Sequence, residues 1–228
     1  MTGNLTEEVK GYAIESGADM VGIVNSRSFG EAPPGHRPED VLRGAKSIVV
    51  MAIRLLDASL ENAPSREYSM NYATVNRELN SLAFKVGKLL QNRGFRAVQI
   101  PSSPPYDEEK EMGDISHRHA GALAGLGTLG RNSLLLSDRF GPRIRLVSVV
   151  TDAELEADAA SDATVCEGCS SCVEACPVGA IGEDGTIDKP KCNDHHESIA
   201  KELGLESDMS ACGICIRACP VGRDSHGN

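Results

Sequence analysis

Residues 166–180 read CEGCSSCVEACPVGA, and a related run, CGICIRACPVG, occupies residues 212–222. The first is Cys166-x2-Cys169-x2-Cys172-x3-Cys176-Pro177, and the second is Cys212-x2-Cys215-x3-Cys219-Pro220. Laid over each other, residues 169–179 and 212–222 match at every cysteine and through the Cys-Pro-Val-Gly tail. The segment is therefore an internal repeat. The first cysteine of the repeat falls at Met209 in the second copy, and the lone Cys192 upstream is left to supply that ligand. Three closely spaced thiolates grip three corners of an iron–sulfur cubane, and in two-cluster proteins the cysteine before proline ligates the other cluster. One 4Fe–4S cluster is expected on Cys166, Cys169, Cys172 and Cys219, and a second on Cys176, Cys192, Cys212 and Cys215. That scheme uses all eight cysteines and makes the two clusters neighbours.

The plain alternatives are a zinc knuckle or a disulfide scaffold. Zinc sites pair two Cys-x2-Cys units and have no use for a third close thiol followed by Cys-Pro. His195 and His196 follow Cys192, but with four thiolates assigned to each cluster they are expected at the surface or behind the ligands. Val178, Ile181, Ile214, Ile216 and Val221 flank the cysteines and would keep water from the clusters. The N-terminal MTGNLTEEVK lacks the charged-then-apolar pattern and the twin arginine of an export signal. A cytoplasmic location with reduced thiols is expected, and no apolar run is long enough to span a bilayer.

Every cysteine lies in the last third of the chain, so the preceding residues need a separate account. Apolar residues at 40% and charged residues at 25% are ordinary for a globular chain of 228 residues. Aromatics at 4% with no Trp argue against a stacking platform for single-stranded nucleic acid. A net charge of −10 gives no overall attraction to phosphate backbones or anionic lipid, so neither nucleic acid nor membrane is expected as a partner.

Residues 5–16 and 71–93 have helical spacing, the latter through Leu79, Leu82, Val86, Leu89 and Leu90. Strands are expected at 18–25, 46–55, 95–100, 133–137 and 143–152, with KSIVVMAIRL (46–55) apolar enough to be covered on both faces. The segment SHRHAGALAG starts as a helix and dissolves into glycines. This alternation predicts an α/β cofactor-binding domain over 1–152, an acidic linker at 153–163 and a ferredoxin-like domain over 164–228.

GLGTLG, Gly125 to Gly130, matches the dinucleotide pattern G-x-G-x-x-G, but a helix precedes it and strand-like sequence follows. A dinucleotide loop runs from strand into helix, so the nicotinamide reading is disfavoured. Two roles remain for the glycines: a helix cap with tight packing, or a backbone surface laid against a large cofactor.

The stretch GLGTLGRNSLLLSDRFGPRIRLVSVVTD, together with the paired cysteine motifs, resembles epoxyqueuosine reductases and the catalytic core of reductive dehalogenases. Upstream, VGIVNS, HRPEDVLRGAKSIVVMAIRL and YSMNYATVNRELNSLAFKVGKLLQNRGFRAVQIP extend the resemblance to nearly the whole chain. The resemblance implies a nitroreductase-like α/β domain with a mixed sheet, followed by a bacterial-ferredoxin-like domain with two 4Fe–4S clusters. It also implies base-off cobalamin as the final electron carrier, fed by an external low-potential donor of ferredoxin or flavodoxin type. Carried over by position, Gly125, Gly127, Gly130, Arg131 and Asn132 would lie along the corrin, as would Ser102 and Ser103. Two features depart from the family. Pro101 stands where the reductases place an aspartate proton donor, with Asp107 and Asp114 as replacements, and the sequence stops at Asn228 without a helical extension. Both favour a small-molecule substrate over tRNA. FMN in place of cobalamin, an electron-transfer or corrinoid-activating accessory role, and a homodimer all stay open.

Reduction of a substrate also needs a proton source within hydrogen-bond reach. Tyr72 is the candidate catalytic residue, since a phenol donates without being ionised at neutral pH; His117 and His119 are alternatives. The plainer role for Tyr72 is at the rim of the core.

Overall fold

The computed structural model describes residues 4–103, 105, 112–163, 165–205 and 212–223. In chain order the principal elements are α1 (Leu5–Glu15), β1 (Met20–Asn25), α2 (Pro38–Val41), β2 (Ser47–Arg54), α3 (Asp57–Glu61), α4 (Arg66–Asn92) and β3 (Ala97–Ile100). They continue as α5 (His117–Leu123), β4 (Thr128–Leu129), β5 (Leu135–Leu136), β6 (Ile144–Thr151), α6 (Ser171–Ala175), α7 (Lys189–Leu203) and α8 (Ile214–Ala218). The expected helices and long strands are present. The expected strand at 133–137 is a two-residue arm of a small hairpin, with Thr128 opposite Leu136 and Leu129 opposite Leu135.

Two compact units are formed, and they do not follow a linear cut at residue 152. The first comprises residues 1–53, 76–126 and 145–161, and the second residues 54–75, 127–144 and 162–228. Two stretches of the expected N-terminal domain thus belong with the cysteines. Non-local packing assigns them there, which composition along the chain does not register.

The first unit is built on a four-stranded sheet of order β1-β2-β6-β3. β1 pairs antiparallel with β2, placing Ile23 opposite Val49, and β3 pairs antiparallel with β6, placing Val98 opposite Val150. The Lys46 amide donates to the Thr151 carbonyl at 2.8 Å. β2 is buried from Ser47 to Ala52 and β6 from Leu146 to Thr151, so both strands are covered on both faces. Leu79, Leu82, Val86 and Leu90 on α4 are buried, each stabilising the fold by about 1.5–3 kcal/mol relative to exposure. α4 ends before Gly94, whose φ of 88° is the left-handed value a helix terminus favours. α1 starts at Asn4, whose Oδ1 accepts the Thr6 amide at 3.1 Å.

Residues 153–161, expected as a linker, are instead a strap across the first unit. The Asp158 carboxylate accepts from the Ile23 amide at 2.8 Å and from Lys10 Nζ at 2.6 Å. The Leu155 amide donates to Ser47 Oγ at 3.0 Å and the Glu156 amide to Thr6 Oγ1 at 2.9 Å. These bonds satisfy the strap's polar backbone, so its acidic composition does not make it a free tether.

In the second unit the sequence repeat becomes a structural one. α6 and α8 are both five-residue helices, and they pack together. Each ends at a C-cap cysteine, Cys176 or Cys219, in extended conformation, because the following proline cannot continue a helix. The glycines closing the two Cys-Pro-Val-Gly tails, Gly179 and Gly222, have φ of 60° and 73°.

Candidate metal centre

All eight cysteines are free thiols and fall into two sets. Cys166, Cys169, Cys172 and Cys219 line one small, partly open cavity, together with Asn132, Leu136, Val165, Ser171, Pro220 and Val221. Three of the thiols come from the first motif, and the fourth is the Cys-Pro cysteine of the second. Charge interactions tie the same four together: Cys172 feels Cys166, Cys219 and Cys169, and Cys219 feels Cys166 and Cys169. The other set is joined in the same way, with Cys212, Cys192 and Cys176 all acting on Cys215. Cys215 also feels Cys172 of the first set.

These thiols suit a polynuclear iron centre. Burial, reinforced by neighbouring thiols, pushes the Cys215 thiol up to about 12 and raises those of Cys172, Cys212 and Cys219. Thiolates crowded this closely need a compensating positive charge, and bound metal supplies it by deprotonating them outright. Peptide N–H groups are already turned toward sulfur: Arg131 donates to Cys166 Sγ at 3.3 Å and Ala180 to Cys176 Sγ at 3.2 Å. Ser171 Oγ lies 3.5 Å from Cys169 Sγ and draws that thiol's pKa down. Among the described residues, no three His, Cys, Asp or Glu side chains converge on a point that a single ion would fill. The thiols ring a cavity instead.

The glycines of the loop make close approaches to the chain's own atoms. Gly125 follows α5 with φ of 72°, and a Cβ there would lie 2.3 Å from the Ala159 carbonyl oxygen, so it caps a helix and lets the strap pass. At Gly127 a Cβ would lie 2.1 Å from the Leu136 carbonyl oxygen, and at Gly130 2.6 Å from the Leu136 side chain. The space freed by these glycines is therefore filled by the chain's own β4–β5 hairpin. The order helix, loop, strand is also the reverse of a dinucleotide loop. Asn132 is buried, and its Oδ1 accepts the Leu134 amide at 3.2 Å. Arg131 and Asn132 thus border the first thiol set, in the second unit.

Ser102 lies in the first unit, buried, with its hydroxyl donating to the Asn76 carbonyl at 3.0 Å and its amide to Asn80 Oδ1 at 3.0 Å. Arg145 donates to Asn76 Oδ1 at 3.0 Å and to the Ser102 carbonyl at 3.1 Å, while Asn76 Nδ2 is buried without a partner. Ser103 is half-buried beside this network. Asn76, Asn80 and Arg145 were not legible as polar neighbours of Ser102, because nothing in their local pattern marks them. Tyr72, half-buried in the second unit, stands 6.2 Å from the Tyr68 ring at 57°. The Tyr68 ring in turn covers Gly213, next to Cys212. His119 pairs with Ser116 through Nδ1 at 2.6 Å, and burial lowers its pKa. Asp114 is exposed, and Asp107 and Met209 lie outside the described residues. His195 Nε2 is buried without a hydrogen-bond partner, while burial and the neighbouring His195 lower the His196 pKa.

Comparison with known proteins bears on this centre directly. Residues 165–222 match the 4Fe-4S double cluster binding domain. Epoxyqueuosine reductase from Gloeobacter violaceus is 30% identical over 173 residues, covering 72% of this chain and 51% of the relative, so the chain spans about half the length of that relative. The structure of epoxyqueuosine reductase from Bacillus subtilis superposes with a TM-score of 0.71 at 20% identity, over 97% of this chain and 66% of the other. A reductive dehalogenase described as carrying out B12-dependent dehalogenation superposes with a TM-score of 0.71 at 24% identity, over 95% of this chain and 31% of that one. The fold is that of the epoxyqueuosine reductases and reductive dehalogenases, and residues 165–222 form a double 4Fe–4S cluster domain within it.

Proposed function

We propose that the protein is an iron–sulfur reductase that moves electrons through two adjacent 4Fe–4S clusters to a corrinoid and on to a small-molecule substrate. The observation that carries this reading is the position of Cys219: the fourth thiol around the first motif's cavity comes from the second motif. Cys166, Cys169, Cys172 and Cys219 would hold one cluster, and Cys176, Cys192, Cys212 and Cys215 the other. When bound, the clusters supply one-electron transfer at low potential, and a corrinoid supplies a strong nucleophilic reductant.

The chain's own residues prepare that transfer. Cys172 of one set acts electrostatically on Cys215 of the other, so the two sets are within reach of each other's charge. Peptide donors at Arg131 and Ala180 stabilise negative charge on sulfur and so favour reduction. For a corrinoid, the spare donor Asn76 Nδ2, beside Ser102 and Arg145, is a buried group that a ligand acceptor would complete. The loop glycines make no such offer, since the hairpin fills their space. Tyr72 is the side chain we assign to proton delivery, and an external ferredoxin or flavodoxin is the expected donor.

Anaerobic purification with iron and sulfide analysis, followed by titration with cobalamin and with FMN, tests the proposal. About eight irons per chain and a base-off cob(II)alamin EPR signal are expected. Tight FMN binding without corrin binding would remove the corrinoid, and a preparation free of iron would remove the reductase.

A further inference from the structure

Among the described residues, Arg143 is the one charged side chain in the buried set, at 5% exposure. Its guanidinium reaches the backbone of the second Cys-Pro motif, with Nη2 donating to the Cys219 carbonyl at 2.7 Å and Nη1 to the Val221 carbonyl at 2.5 Å. Its own amide donates to the Phe140 carbonyl at 3.1 Å, and its carbonyl accepts the Leu55 amide at 2.9 Å. The two backbones meet through glycines. A Cβ at Gly141 would lie 2.0 Å from the Val221 carbonyl oxygen, and one at Gly222 would lie 2.2 Å from the Phe140 carbonyl carbon. The guanidinium is therefore fixed against Cys219, with no room for the chain to draw back.

A clamp alone would require only hydrogen-bond donors. A full positive charge out of water is costly unless negative charge stands close by. Cys219 and Asp57 act favourably on Arg143, while Arg54 and Arg223 act against it. Cys219 lines the first cavity. The repeat supplies an internal contrast: the Cys176 carbonyl accepts a neutral peptide donor, the Gly179 amide, at 3.1 Å. Only the Cys219 side of the repeat has a guanidinium on its Cys-Pro carbonyl among the described bonds.

We propose that Arg143 is a positioning residue that raises the reduction potential of the cluster bound through Cys219 above that of its neighbour. A cubane held by four thiolates is dianionic when oxidised and takes on one further negative charge when reduced. A fixed, desolvated cation therefore favours the reduced form. The effect makes the Cys219 cluster the downhill member of the pair and gives electron flow a direction. This inference rests on the assignment of Cys219 to the cluster of Cys166, Cys169 and Cys172.

The test is an EPR-monitored redox titration of the full-length, anaerobically purified protein, comparing wild type with Arg143→Gln and Arg143→Lys, with iron counted in each. All three are expected to hold about eight irons. The Gln variant should lower one midpoint by at least about 59 mV, a tenfold change in that cluster's one-electron equilibrium, and leave the other unmoved. The Lys variant should recover most of the shift. The proposal is overturned if neither midpoint moves, if both move together, if Lys behaves as Gln does, or if both variants lose iron while wild type retains it. Wild-type protein without iron would overturn the cluster assignment itself, and this proposal with it.

Discussion

His117 Nε2 donates to the Pro101 carbonyl at 2.8 Å, and Nδ1 of the same ring accepts from the Ser148 hydroxyl at 2.8 Å. Both nitrogens are committed, and burial, with Arg145 adding to it, depresses the pKa to about 4. At neutral pH the ring is uncharged and is not a ready acid. The native ring resists protonation that the unfolded ring accepts near its ordinary value of 6.5. Its contribution to stability is therefore complete above about pH 6.5 and is lost as pH falls toward about 4. Comparing wild type with His117→Gln by denaturant titration across that range should show wild type losing on the order of 2 kcal/mol more than the variant. Parallel curves would exclude the linkage.

Cys192 stands apart from both compact motifs, yet acts on Cys215. Cys192→Ala is expected to lower iron from about eight to about four per chain and to erase one of two EPR signals. Cys166→Ala should erase the other. Full iron retention in Cys192→Ala would refute the assignment of the second set.

Gly22 lies in β1, where an added Cβ would come within 2.4 Å of the Ala124 carbonyl oxygen. The nearest obstacle is backbone, which cannot swing aside as the neighbouring Leu126 side chain could. Gly22→Ala is expected to cost about 1–3 kcal/mol by overpacking, measured as a fall in denaturation midpoint at constant slope. An unchanged midpoint would show that α5 can move off the sheet freely.

Asp158 fixes the strap, since its carboxylate takes the Ile23 amide. Asp158→Ala leaves that amide without its acceptor and should destabilise the protein by about 1–3 kcal/mol. It should also speed proteolytic cleavage within residues 153–161. Lys10→Met, which removes only a partly exposed ion pair, should cost less than about 1 kcal/mol.

What could be read in advance depended on how local its cause was. The cysteine spacing is a local constraint, because three corners of a cubane must be reached from a few consecutive residues. The two motifs were legible as a repeat through their Cys-Pro-Val-Gly tails, though not the short helices that precede them. The long α4 and the fully covered β2 were legible too, since burial imposes a period or an apolar run. The antiparallel pairing of β2 was not, because an all-apolar strand reads the same in either direction. Neither was the membership of residues 54–75 and 127–144 in the cysteine-bearing unit, which long-range contacts decide. Arg143 in FGPRIRL carries no sequence mark of its two carbonyl partners, some seventy-odd positions away. The glycine loop was legible as a place of close approach, but not which atoms approach.

The ring around the first cavity draws three of its sulfurs from residues 166–172 and the fourth from residue 219. During synthesis, then, the earlier motif leaves the ribosome as an incomplete cage and stays one until the later one emerges. A chain halted between the two motifs would therefore lack the fourth sulfur of that ring.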